Sequence, residues 1–115
     1  MKKQFALASS DIKPLAEGRG SCFASDRITV DGKPVGFMYR DPPRNDIDSG
    51  WTFLSGDETQ EFLDDPGNLG LYDVNTIANY DPTIIHYLDA PALSAFERQP
   101  GTDEYVAVRF VRPVP

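Results

Sequence analysis

Apolar residues along this chain alternate with polar ones in short runs and form no long helical stripe. Ile28 and Val30 alternate with polar neighbours, and Val35, Phe37 and Tyr39 follow at period two, with Asp31-Gly32 between the two runs. Period two puts successive apolar side chains on one face of a strand, and Asp-Gly supplies the positive φ angles of a tight turn. Ser21 to Arg40 therefore reads as a β-hairpin, with Pro34, which has no N–H, at a strand start or a sheet edge. Asp41-Pro42-Pro43-Arg44-Asn45-Asp46 interrupts the pattern with turn formers. Gly50 to Ser55 gives a third strand, Trp51 and Phe53 pointing one way and Thr52 and Leu54 the other. Tyr105 to Arg112 gives a last one, apolar on both faces as an interior strand would be, and Pro113 and Pro115 end it.

Between these strands the signals are helical. Asp57 can cap a segment from Glu58 to Asp65, which Pro66-Gly67 stops. Asp64 and Asp65 then sit at its negative end, a local conflict that is either solvated or kept for a use. Asp73 predicts an N-cap for Val74 to Tyr80, and Asp81-Pro82 restarts a helix that Pro91 ends. Ser94 to Arg98 fits a capping box and a short strand equally. Residues 1–20 read as an irregular lead-in closing on Gly18-Arg19-Gly20. The expected architecture is one α+β domain over residues 1–115. It has a small antiparallel sheet of about four strands, with short helices inserted before the last strand.

Composition adds that five Tyr, seven Phe and one Trp need burial, which argues against disorder. Charge changes the picture more. The chain carries 11 Lys+Arg against 18 Asp+Glu, and from Asp41 to Glu104 fourteen acids face two bases, a net of −12. That balance argues against a nucleic-acid binder, which needs basic clusters to displace counterions, and against a protein docking on anionic lipid. The single Cys22 excludes an intrachain disulfide and fits a reducing compartment. Phe5 to Ala8 is shorter than the roughly 7–15 residues of a signal-peptide core. No stretch approaches the roughly 20 apolar residues that span a bilayer. A cytoplasmic protein is expected.

Candidate chemistry is sparse. His86 is the only histidine and has Ile85 and Tyr87 beside it, so it lacks a local nucleophile or carboxylate. Cys22 lies in a strand and reads as a small buried hydrophobe. One Cys and one His cannot make a structural zinc site. Asp46-Ile47-Asp48-Ser49-Gly50 begins like a calcium loop, but Gly50 and Trp51 stand where an acid or amide and a glycine are needed. Gly18-Arg19-Gly20-Ser21 is too short for a phosphate-binding glycine motif. No catalytic residue, metal or cofactor is predicted.

Trp51 reads either as a core residue beside Phe53 or as a binding anchor rimmed by Asp46, Asp48, Asp57 and Glu58. The run Asp57, Glu58, Glu61, Asp64 and Asp65 reads either as a solvated helix face or as an electrostatic landing site for a basic partner.

Three segments carry a resemblance. They are Val35-Gly36-Phe37-Met38-Tyr39-Arg40, then Asp48-Ser49-Gly50-Trp51-Thr52-Phe53-Leu54-Ser55-Gly56-Asp57-Glu58, then Tyr72-Asp73-Val74-Asn75-Thr76-Ile77-Ala78-Asn79-Tyr80-Asp81-Pro82. Together they resemble a bacterial domain grouped with the predicted immunity proteins of polymorphic toxin systems, immunity protein 33, from about Ser21 to Arg98. The resemblance implies an α+β fold with a prominent tryptophan, falling on Trp51, and brings no catalytic residues with it. The resulting expectation is a non-enzymatic protein that neutralises a cognate toxin with a basic surface, for instance the groove of a nuclease, by occluding it. The alternative is a stand-alone domain that binds or senses a small molecule in a pocket lined by Arg40, Trp51, Asn75 and Asn79.

Overall fold

The computed structural model describes residues 3–110. Six strands form one mixed sheet: β1 (Ser21–Ser25), β2 (Phe37–Arg40), β3 (Asp48–Leu54), β4 (Leu69–Asp73), β5 (Ala95–Arg98) and β6 (Tyr105–Ala107). Their spatial order is β4-β1-β3-β2-β5-β6. β1 runs parallel to β3, and the other neighbouring pairs are antiparallel. Helices α1 (Asp26–Thr29), α2 (Gln60–Asp64) and α3 (Val74–Tyr80) and a 3-10 helix, Pro82–Tyr87, connect them. The α+β class holds, but the sheet has six strands and one parallel pair where about four antiparallel strands were expected.

Several elements correct the reading of the sequence. The expected hairpin is not formed. Ser25 Oγ accepts the Arg27 N–H and starts α1, so Ile28 is a buried helical residue and not part of a strand. Gly32 does adopt a positive φ, +75°, but it closes α1: its N–H bonds the Ile28 carbonyl, and the Asp31 N–H bonds that of Asp26. Val35 does not share a face with Phe37 and Tyr39, because it precedes β2 and enters the main core. Asp57 does not cap α2; Thr59 does, accepting the Phe62 N–H at 3.1 Å. β4 carried no strand signal. β6 is an edge strand, not an interior one, and Val111 and Arg112 lie outside the described residues. Within the ambiguous Ser94 to Arg98, Ala95–Arg98 forms a strand. The caps Asp73 and Asp81 stand where expected, accepting the Asn75 and Thr83 N–H groups.

Strand alternation gives the sheet two unlike faces. On one, Cys22, Ala24, Met38, Trp51 and Phe53 pack with Ile28, Val74, Ile77 and Ile84 into the main core. Burying each such large side chain is worth roughly 1.5–3 kcal/mol. Trp51 stacks on Phe53 with ring centroids 5.9 Å apart. A buried polar knot closes one end of this core: Asp81 pairs with Arg98 and accepts the Val35 N–H at 2.9 Å, while Tyr105 Oη donates to the Val35 carbonyl. On the other face, Tyr39, Leu54 and Ala95 form a smaller cluster, covered by Leu63 of α2, Leu69, Val108 and Phe110.

Candidate functional site

The smaller cluster covers the middle of its sheet face, where Thr52, Tyr39, Leu54 and Ala95 are buried, and leaves Leu71 and Val106 exposed toward the two edges. Cross-strand register lines up Leu71, Phe23, Thr52, Tyr39 and Ala95 in one row, with Leu54, Phe37, Glu97 and Val106 in the next. Two grooves follow. The larger, about 510 Å³, has Phe37, Leu54 and Leu63 among its lining and Asp57, Glu58 and Glu97 as its acids. The other, about 410 Å³, lies against Phe23 and Thr52 and is bounded by Pro42, Arg44 and Asp48. The Arg44 guanidinium sits 5.1 Å over the Phe23 ring. Leu71, 63% exposed, continues the face to the β4 edge.

Of the acids predicted to meet a partner, Asp57 and Glu58 line the larger groove and Asp48 the other, and most of the set also serve local structure. Glu58 accepts the Ser55 and Gly56 N–H groups. Asp64 accepts from Gln60, and Asp65 caps a 3-10 turn at Pro66–Asn68. Asp57 pairs with Lys33; that bond, aided by the Ser55 hydroxyl, holds its carboxyl below the usual carboxylate range. Burial alone would raise Asp48, but the Arg44 and Gly50 N–H groups and the Arg44 guanidinium outweigh it and hold it low. Asp46 and Glu61 are exposed and have no side-chain partner among the described residues. Glu97 is equally free and was not anticipated, because its segment could have been helix or strand.

Trp51 is a correction. It is 2% exposed and its Nε1 donates to the Leu88 carbonyl at 3.3 Å, so it is a core residue and not a surface anchor. The expected four-residue pocket also divides. Arg40 and Trp51 do share a cavity, of about 240 Å³. Asn75 and Asn79 do not line it: Asn75 Oδ1 accepts the Leu15 and Ala16 N–H groups, and both amides donate to the Lys13 carbonyl. They strap the lead-in onto α3.

A family model described as the Imm33 immunity protein domain matches residues 22–109. This chain belongs to the Imm33 family. No curated protein and no solved structure matches it. The matched span runs from the second residue of β1 past the end of β6, so the Imm33 domain here is the whole sheet with its helices. Membership gives the protein, in general terms, the role of an immunity protein, a class that is generally non-enzymatic and whose partners are toxins.

Other chemistry in this Imm33 domain is muted. Cys22 is fully buried, and burial, with the charges of Asp73 and Asp48, pushes its thiol far up. His86 borders a groove of about 490 Å³ with Asp103 and Glu104, and no hydrogen bond or ion pair joins it to them among the described residues. No helix among the described residues is long and apolar enough to cross a membrane.

Proposed function

We propose that this Imm33 domain neutralises a toxin by occlusion, presenting the less covered face of its sheet to a basic surface on that toxin. The observation that carries this reading is the coincidence of the family match with a sheet whose second face offers part-apolar grooves in which acids outnumber bases, three to two in the larger and two to one in the other. Half-buried Phe37 and Phe23, with exposed Leu71, would supply contact area, the part that the buried Trp51 cannot play. Glu58, Glu61, Asp64, Asp65 and Glu97 would supply the field that steers a cationic partner. Asp46, Asp48 and Asp57 would fix register at the rim. A stable complex needs about 1,600 Å² of total buried surface, shared between the two partners.

The test is the association rate with a candidate toxin partner, measured across ionic strength. Steering predicts a rate that falls steeply with added salt, with the dissociation rate little changed. A rate indifferent to salt removes the electrostatic part of the proposal. Failure of co-expression to protect cells from that toxin removes the whole.

A further inference from the structure

The cavity shared by Arg40 and Trp51 has a property independent of any toxin. Arg40 is half-buried, and three backbone carbonyls fix its guanidinium: Ser49 accepts from Nε at 2.9 Å, and Ala90 and Leu88 accept from Nη1 at 2.7 and 3.4 Å. Its Cζ also lies 5.7 Å from the centroid of the Trp51 ring. Among the described residues no carboxylate forms a salt bridge with it and no acceptor meets Nη2. Nη2 is open to solvent, since Arg27 Nε alone among the described residues is a buried side-chain atom without a hydrogen-bond partner, so an anion can reach it. Rigid carbonyl contacts also leave the guanidinium pre-organised for one.

A second cation lines the same space. Arg19 Nη1 holds Asp89 at 2.6 Å, and the Asp89 side chain is 87% exposed. Arg19 first, and Arg40 at longer range, hold the Asp89 carboxyl below its ordinary range, so Asp89 feels both charges. Its carboxylate therefore occupies the mouth of the cavity as a competitor that solvent can easily draw away.

We infer that this cavity binds a small free oxyanion, a carboxylate or phosphate, between the Nη2 edge of Arg40 and the guanidinium of Arg19. The anion would displace Asp89 from Arg19 and take the charge-assisted hydrogen bonds that Nη2 lacks. Trp51 forms one wall and is the only tryptophan, so its fluorescence reports occupancy without a label.

The experiment titrates the full chain with inorganic phosphate and, separately, malonate, at constant ionic strength set by sodium chloride. A saturable change in Trp51 emission is expected with at least one of them. Arg19→Gln, on an exposed ion pair and so tolerated by the fold, weakens that binding about tenfold, the loss of one charge-assisted hydrogen bond. Asp89→Asn, which removes the competitor, tightens it. Arg40→Lys keeps the charge but not the fork, and also weakens it. A response matched by chloride alone overturns the inference. So does one that survives Arg19→Gln unchanged, or that weakens in Asp89→Asn.

Discussion

Trp51 carries its weight through packing. Its ring stacks on Phe53, leans toward Phe96 at 6.4 Å and spends its one donor on Leu88, so every part of it is used inside the molecule. Trp51→Ala is expected to cost about 3–5 kcal/mol, a large part of the roughly 5–15 kcal/mol that holds a domain together. Trp51→Phe, which keeps an aromatic stack, is expected to cost less and to leave toxin affinity at the wild-type level. Urea unfolding and a binding measurement on the Phe variant check both. An affinity loss larger than the stability loss would return Trp51 to the interface. Asp48 makes the second residue-scale prediction. Its folded pKa lies below the ordinary 3.8, so its contribution is complete above that value and is lost as pH falls through the folded pKa. Acid unfolding followed by circular dichroism should therefore show a shallower acid limb in Asp48→Asn, from a less stable starting point, than in the native protein.

Elements were legible where the signal was local. Asp73 and Asp81-Pro82 name their helix starts because a cap and its N–H lie two residues apart. β3 was legible, though read from Gly50 to Ser55 where it runs Asp48–Leu54, because Trp51 and Phe53 fall on one side of a strand. α1 was not. One helical turn holds too few residues to show a period, and Ile28 and Val30 mimic alternation. Only the pairing of β1 with β3 and β4, distant in sequence, rules the hairpin out. β4 was silent because Gly70 interrupts a five-residue edge strand. The same limit applied to the site: acids can be counted from sequence, but Lys33 lies 24 positions from the Asp57 it pairs with. α2 links this to function. Thr59→Ala should lower stability by about 1 kcal/mol through loss of the cap, and Asp57→Asn by less, the reverse of what the Asp57 cap predicted. Since α2 carries Leu63 onto Leu54 and Phe37, amide exchange along α2 should rise in Thr59→Ala while that of α3 stays at its native rate.

Across the whole molecule the acidic excess is sorted by its partners. Arg19, Arg27, Lys33, Arg44 and Arg98 neutralise Asp89, Asp57, Asp48, Asp81 and Asp103 through ion pairs. Glu58, Asp64 and Asp65 bond only uncharged groups, so their charge persists, and with free Glu61 they gather around α2 beside the larger groove that also holds Glu97. Glu104 is free as well, but it borders the His86 groove on the 3-10 helix. That contrast separates a local field from net charge. The double variant Glu61→Lys with Glu97→Lys should keep stability within about 0.5 kcal/mol, because neither carboxylate is bonded. It should slow association with a basic toxin by roughly tenfold at low salt, and the gap should close once the Debye length shrinks to about 3 Å in 1 M salt. Glu104→Lys makes half that charge change elsewhere. It should slow association far less than half as much on a logarithmic scale if contact is made at the second face. Stopped-flow association of the three proteins across a salt series decides it. Slowing that simply tracks the number of reversed charges would mean that the molecule attracts its partner by net charge, with no preferred face.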